Sequence, residues 1–441
     1  MNGENRTILE RVAHEEPDNR ICIPIVRKAV TITSGYMAKV GDIVYSTAKQ
    51  AKRKGIGGVI DAVKKAVAGD YFDAKLKPIF DSNDEQLTTH EEFETACAHG
   101  MAWEYHYTAD GEPRFVEIPV EQCIPIWTDD LPPKLGGFIR YYTTASGTDQ
   151  EMKEALVFDD AKCDHYIGKT FNDLGYVAVG SFLHGYGEVP FAQAKINRYA
   201  QNLFDHVRTI IDFRDRIVSE DYANEAQRFS SSYLLLRNRL SDELDASGLS
   251  DLDKIKITRT FEDLGDNVNN AVAFLVKNIP IDFIKNADEL FERLSYDMMM
   301  LFDNNDMATT GQISGISLAY KLLPFEYACA TYEAYFSRFL QWRIRLIQNV
   351  TGNMSVRKLD RPQVSIQFRR NLPFDMQSAV DMFTKLSPAA LPIKTALKLF
   401  PASFIDDPDQ VAKEMEAAAA MPNMDTEDEG ETNNDNQDRR E

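Results

Sequence analysis

The chain has 441 residues, 44% of them hydrophobic, with 49 Lys and Arg against 69 Asp and Glu, for a formal net charge of −20. Length and apolar content support a real core and about two to four domains, and ordinary Gly and Pro counts exclude fibrous and low-complexity classes. The acidic balance argues against a tight grip on nucleic acid. It still allows a protein that surrounds DNA without holding it.

Five cysteines (Cys22, Cys97, Cys123, Cys163, Cys329) are scattered, odd in number and free of any C-x-x-C spacing, so reduced thiols in a cytoplasmic setting are expected. The N-terminus shows no apolar signal-peptide core, and no apolar run approaches the ~20 residues that span a bilayer.

Residues 1–190 read as mixed α/β. Residues 49–70 carry Lys49, Lys52, Arg53, Lys54, Lys64 and Lys65 and predict a basic amphipathic helix after a Gly-rich turn. The stretch lacks the G-x-x-x-x-G-K-[ST] pattern of a phosphate loop. Residues 101–120, "MAWEYHYTADGEPRFVEIPV", place two β-rich runs around Asp110-Gly111, which predicts a β-hairpin. "FIRYYTT" at 138–144 is a further strand.

The middle, about 195–350, is mostly helical. From Tyr199, apolar residues recur at Leu203, Val207, Ile210, Ile211, Ile217 and Val218, the spacing of a helix. "KIKITRT" alternates as a strand does, and "AVAFLV" is a short buried strand. Ile284, Ala287, Phe291, Leu294, Met298 and Leu301 then step by three and four, a narrow seam on a helix that packs on a neighbour.

Residues 303–327, "DNNDMATTGQISGISLAYKLLPFEY", join a small polar loop to a long helix. That helix carries Leu318, Leu322, Phe325, Cys329, Tyr332, Phe336 and Phe339 on one stripe. It is expected to stop near Thr351-Gly352-Asn353. Pro324 lies inside it and predicts a kink. "QVSIQFRR" is a strand, and 374–420 is helical again. The tail from Met421 has eight acids, two arginines and no aromatic residue, a composition expected to stay disordered.

Motifs for chemistry are scarce. The seven histidines (His14, His90, His99, His106, His165, His184, His206) form no H-E-x-x-H. Cys97/His99 and Cys163/His165 lack second pairs at zinc-finger spacing. There is no G-x-S-x-G and no recognisable protease cysteine. The expectation is therefore no catalytic residue, no metal site and no cofactor. Paired acids at Asp129/Asp130, Asp159/Asp160 and Asp406/Asp407 and the cluster at 81–85 read as solvated surface. Asp303/Asp306 stands out, because it sits between two long helices.

The order of these pieces resembles the portal proteins of tailed bacteriophages, in the branch common among long-tailed phages. "DNRICIPIVRKAVTITSGYMAKVGDIVY" has R-I-x-x-P, then G-Y, then G-x-x-x-Y. "ACAHGMAWEYHYTADGEPRFVEIPVEQCIPIW" resembles the family's hairpin. "GEVPFAQAKIN" is similar to its G-x-[IV]-P segment, and "DHVRTIIDFRDRIVSEDYANEAQRFSSSYLLLRN" to its D-x-V-x-x-x-I-D pattern. "SGISLAYKLLPFEYACATYEAYFSRFLQ" and "IQFRRNLPFD" complete the series. The likeness covers about 370 residues as an ordered set. Two departures are a short N-terminus, so that an early wing element is expected to be missing, and the basic stretch near Lys52, which looks like an insertion.

The resemblance implies an α+β, predominantly helical fold with an α/β wing, two-helix stem, small α/β clip, long kinked helix and helical crown. By position, 1–197 is the first part of the wing, 198–232 stem helix 1, 233–280 the clip and 281–302 stem helix 2. Residues 303–313 are the tunnel loop, 314–350 the long kinked helix, 351–373 wing strands, 374–420 the crown and 421–441 the tail. It further implies a homo-oligomeric ring, a dodecamer in the capsid, through which double-stranded DNA slides. Implied partners are the terminase large subunit, a head–tail adaptor, and the major capsid and scaffolding proteins, with no membrane. The place is the portal vertex of the virion, after assembly in the host cytoplasm. The loop residues facing DNA are then Asp303, Asn304, Asn305, Asp306, Thr309, Thr310 and Gln312, without a Lys or Arg to anchor a phosphate. Stem packing falls to Ile284, Phe291, Leu294 and Met298. The competing readings are another virion connector or minor capsid protein, and a metal-dependent hydrolase using Asp303 and Asp306.

Overall fold

The computed structural model describes residues 21–47, 71–144, 147, 151–169, 175–219, 233–237, 260–263, 272–275, 281–302, 315–354, 363–370 and 411–415. The chain divides into two compact units, 1–368 and 369–441; the elements below belong to the first. In chain order they are helix α1 (Ile25–Met37), strand β1 (Ile43–Thr47), a π-helical turn (Phe72–Leu76) running into the short helix α2 (Lys77–Asp81), and helix α3 (Glu85–His99). Strands β2 (Met101–Ala109), β3 (Glu112–Ile118), β4 (Cys123–Trp127), β5 (Leu135–Thr144), β6 (Met152–Phe158), β7 (Lys162–Gly168), β8 (Val177–Leu183) and β9 (Phe191–Lys195) follow. Then come helix α4 (Arg208–Arg216), strands β10 (Tyr233–Arg237), β11 (Thr260–Asp263) and β12 (Val272–Leu275), helix α5 (Ile281–Met298), helix α6 (Gly315–Met354) and strand β13 (Val364–Phe368). The fold is mixed α+β.

The hairpin forms where the turn chemistry places it. Ala109 pairs with Glu112 across a two-residue turn, and Asp110 and Gly111 both take positive φ, 53° and 81°. Only Gly and short polar residues occupy that region readily, and such a turn matches the twist of its strands. β2 is the middle strand of the order β3-β2-β9, covered on both faces. Trp103 and Tyr105 point one way, into an aromatic cluster. Ala102, Glu104 and His106 point the other way and are fully buried. Gly100 closes α3 at φ +86°, where an added Cβ would lie 2.1 Å from the Ala200 carbonyl oxygen. No other residue fits that approach without moving the backbone.

The five-stranded meander β4-β5-β6-β7-β8 is antiparallel throughout. It is held to the body at one end, where Phe138 stacks on Phe191 at 3.7 Å and meets Trp103 at 4.9 Å, and Phe158 lies edge-on to Phe191 at 4.9 Å. The opposite end is open, and every residue of β8 is exposed. β1 pairs with β13 across more than three hundred residues of chain, bringing the last strand back to the first.

Two local expectations differ from the structure. The helix expected from Tyr199 begins at Arg208. Asn197 explains the delay: its Oδ1 accepts the backbone N–H groups of Tyr199 and Gln201 at 3.0 Å, and its Nδ2 donates to the Gln201 carbonyl at 2.6 Å. This side-chain turn competes with the first helical turn, and Ala200 within it takes φ +52°. In the 233–280 segment a third strand, β10, lies between β11 and β12, parallel to the first and antiparallel to the second. Its run, Tyr-Leu-Leu-Leu-Arg, is too short and uniformly apolar to separate strand from helix by periodicity. Of "KIKITRT" only Thr260 is described, as the first residue of β11. The long helix runs Gly315–Met354 and continues through Pro324. The basic stretch 49–65, most of 374–420 and the tail 421–441 lie outside the described residues.

The aromatic anchor of the meander is open to a direct test. Phe138→Ala should cost about 3–5 kcal/mol, read as a lower urea midpoint at unchanged slope. Leu131→Ser, at a residue 98% exposed, should shift stability by no more than about 0.5 kcal/mol. Equal midpoints for the two variants would show that the stack does not anchor the sheet.

Candidate functional site

The polar loop lies between α5 and α6, and the structure shows how these two helices meet. α5 ends in a left-handed cap: Met300 has φ 55°, its N–H bonds to the Asp297 carbonyl at 3.1 Å, and the Leu301 N–H reaches back to Tyr296 at 3.0 Å. This double closure satisfies carbonyls that the helix end leaves free. Leu301 is buried with Leu322 and Phe325 of α6, and Phe302 meets Phe325 edge-on at 5.6 Å. α1 straps the same point. Tyr36 packs on Phe325 at 4.9 Å and hydrogen-bonds Glu326 of α6, and Lys28 lies over the Tyr296 ring of α5 at 4.9 Å. Asp303, Asn304, Asn305, Asp306, Thr309, Thr310 and Gln312 themselves lie outside the described residues.

Pro324 sits on the exposed face of α6. It removes one N–H, the natural donor to the carbonyl four residues back. That residue, Tyr320, is also exposed. On the predicted stripe, Leu322, Phe325, Cys329, Phe336 and Phe339 are buried.

α4 and α5 pair through one ionic and one aromatic contact. Arg214 of α4 donates to Asp288 through Nε at 2.6 Å and to Glu292 through Nη2 at 3.1 Å. Burial alone would lower the Arg214 pKa, but the hydrogen bond and charge of Asp288 and the charge of Glu292 raise it. Phe213 meets Phe291 edge-on at 5.2 Å. Of the predicted seam, Ile284 is buried, Phe291 and Leu294 are half-buried and Met298 is exposed.

At the far end of α6 stands a group that the sequence reading passed over. Arg343 is fully buried among three carboxylates. Its Nε donates to Glu104 Oε2 at 2.8 Å, its Nη1 to Glu85 Oε1 at 2.9 Å and to Thr89 Oγ1 at 2.5 Å, and its Nη2 to Glu92 Oε2. The guanidinium also lies over the rings of Phe115 at 4.6 Å and Phe339 at 4.9 Å. Glu85 accepts further hydrogen bonds from Thr89 and Tyr45, and Glu104 meets His106 Nε2 at 2.8 Å. One side chain of α6 thus joins α3, β2 and β3, and Tyr45 of β1 reaches the same cluster through Glu85.

Charge in this hub is uneven. Burial raises the Glu104 pKa, yet Arg343 and His106 outweigh it and pull the value down to about 2. Glu92 goes the other way: burial first, then the neighbouring Glu104 charge, raise it well above the usual carboxylate range against the pull of Arg343. The two carboxyls are thus pushed in opposite directions, as expected when carboxyls crowd one cation. A signal for the hub exists in the sequence. Arg343 interrupts an apolar helical stripe, four residues after Phe339 and three before Leu346, where a solvated cation has no place.

Other sites hold little chemistry. Cys97 is buried, with burial and the nearby Cys329 raising its thiol pKa, while His99 lies on the surface. Cys163 is buried in the aromatic cluster, and His165 Nε2 meets Glu154 Oε2 at 2.9 Å. All five cysteines are free thiols. Among the described residues no group of three or more His, Cys, Asp or Glu is placed to hold a metal ion. Among them, too, no helix is long and apolar enough to cross a membrane.

Comparison with known proteins gives two findings. A family model described as "Phage portal protein, SPP1 Gp6-like" matches residues 2–424. The portal protein of Clostridium phage phiCD119 is 23% identical over 331 residues, spanning 71% of this chain and 70% of that protein.

The hub predicts a pH response with two limbs. Glu104, with its folded pKa lowered to about 2, contributes stability that is complete above its unfolded pKa of about 4.3 and lost as pH falls toward 2. Glu92, raised in the fold, contributes stability below that unfolded value and loses it as pH rises. Urea midpoints measured from pH 5 to 8 should therefore fall less in Glu92→Gln than in the parent chain. Arg343→Met, which strands two carboxylates, should cost about 3–5 kcal/mol. Parallel pH profiles for the parent and Glu92→Gln would sink the upward shift of Glu92.

Proposed function

The chain belongs to the phage portal protein family of the SPP1 Gp6-like type, and from that premise we propose that its copies form the ring at the unique vertex of a virion capsid, a conduit for double-stranded DNA during packaging and ejection. The observation that carries this reading to particular residues is the clamp beneath the polar loop. Leu301 and Phe302, just before 303–313, pack with Leu322 and Phe325 of α6, the helix that follows it. The lack of Lys and Arg in 303–313 suits a surface past which phosphates slide. Gly311 supplies backbone freedom within it.

In this reading α4 and α5 are the stem, the β11-β10-β12 sheet belongs to the clip, and β2–β9 with α3 form most of the wing. Residues 374–420 are the crown. The ring is a dodecamer in the capsid. The clip docks the terminase large subunit during packaging and a head–tail adaptor afterwards, and the outer surface meets the major capsid and scaffolding proteins. The protein acts by shape and charge, with no catalytic residue, metal or cofactor of its own.

Electron microscopy and mass measurement of the purified protein test the assembly; a monodisperse monomer with metal-dependent hydrolytic turnover would overturn the reading. Asp306→Lys tests the loop. Each position recurs once per subunit, so the change turns a ring of weak repulsion into a ring of phosphate anchors. Each phosphate neutralised should add roughly 0.9 to the log–log salt slope of DNA binding. Rings should still form, and packaging should stall at low salt. Unimpaired low-salt packaging by this variant would show that residue 306 does not meet DNA.

A further inference from the structure

α5 carries more apolar surface than its own chain covers. Ile284 and Met299 are buried against the body, and Phe291 packs on α4. A second stripe, Phe283, Ala287, Leu290, Leu294 and Met298, repeats at intervals of four, three, four and four. It faces outward, with Phe283 71%, Leu290 44% and Met298 55% exposed. Such spacing marks one side of a helix meant for another helix.

α6 has a matching uncovered stripe. Tyr320, Leu323, Tyr327, Ala330 and Ala334 repeat at intervals of three, four, three and four. Tyr320 is 73%, Leu323 40% and Tyr327 67% exposed, on the side opposite the buried Leu322, Phe325 and Cys329. Large exposed apolar stripes of this kind mark interaction surfaces.

Charge tells the two apart. From Tyr320 to Arg338 the exposed residues of α6 include two cations, Lys321 and Arg338, and no acid; Glu326 and Glu333 are half-buried. On α5 the exposed charges are Asp282, Glu289 and Asp297 against Lys285 and Arg293, three acids less two cations, or −1. Lys285 already lies 3.9 Å from Glu289. In a chain of net charge −20, like faces of two copies repel, whereas the α5 face and the α6 face attract.

We propose that the outward stripe of α5 in one copy packs on the outward stripe of α6 in the next, a head-to-tail joint centred on Leu290 and Tyr327. The proposal rests on the ring assembly above and names the surfaces that close it. A contact between unlike faces leaves one of each free on every pair, so the chain of copies continues until it closes; a contact between like faces would stop at two. α5 and α6 flank the polar loop on either side, so the joint also fixes the spacing of that loop from copy to copy.

Cysteine cross-linking tests this in full-length protein with Cys22 and Cys123, the two half-buried thiols, replaced by Ser. Leu290→Cys combined with Tyr327→Cys, treated with a short bismaleimide after assembly, should give a ladder from dimer upward. Either single variant alone should give no ladder. The two single variants mixed before assembly should give dimers only. Leu290→Arg should reduce rings at least tenfold while keeping its far-ultraviolet spectrum. Parent protein that forms no rings would overturn the portal reading itself. Rings from the parent together with no ladder from the double variant, a cross-link within one single variant, or undiminished rings from Leu290→Arg would overturn this joint alone. Loss of binding to a short DNA duplex in Lys321→Glu, with rings intact, would likewise overturn it, because the α6 face would then meet nucleic acid.

Discussion

Arg343 is the constraint on which the packing of α3, β2 and α6 depends. A guanidinium with no solvent exposure must have its donors satisfied, and here four side chains from two elements do so. The carboxylates need the cation equally, because Glu85, Glu92 and Glu104 without it would be acids buried in a core. A buried ion cluster of this kind adds little net stability over a well-packed apolar substitute. Its effect is specificity. Sliding α6 by one turn would move Arg343 by about 5.4 Å, out of reach of its partners, so the register of the longest helix is set at this point.

The long helix is thereby fixed at two places of different character. Near its C-terminal end the hub sets register by directional hydrogen bonds, and Arg345 and Asn349 add contacts to Glu188 in the segment before β9. Near its N-terminal end, Phe325 sits among Tyr36, Phe302 and Leu322, a contact of shape without strict direction. Pro324 lies beside this second point. Forty residues of helix, about 60 Å long, therefore carry a rigidly indexed end and an end held by packing. The polar loop emerges from the latter.

Elements set by local chemistry were legible. Asp110-Gly111 marked the hairpin because few residue types tolerate positive φ. The alternation in "QVSIQF" marked β13, and the apolar stripe of α6 marked its buried face. The ordered motifs from Arg20 to Pro373 marked the family. Where a side chain competed with the backbone, as Asn197 does, the apolar spacing read through the turn and started the helix nine residues early. The α5 seam was legible as apolar, but the pattern does not say which part of a wide apolar arc its own chain covers; Ile284 is buried and Phe291 packs on Phe213 of α4, while Met298 stays outside.

By itself, then, the sequence determined the periodic elements, the punctuation between them, the family, and the absence of cations from residues 303–313, because each is a property of neighbouring residues along the chain. Only the tertiary structure decided which charges are buried. Glu85, Glu92 and Glu104 look like ordinary surface residues of an acidic protein, since no Lys or Arg lies within a few positions of any of them. Their partners lie more than two hundred residues away. Whether such a group is solvated or locked in the core is settled by which elements the fold brings together, and by the low dielectric that then surrounds them.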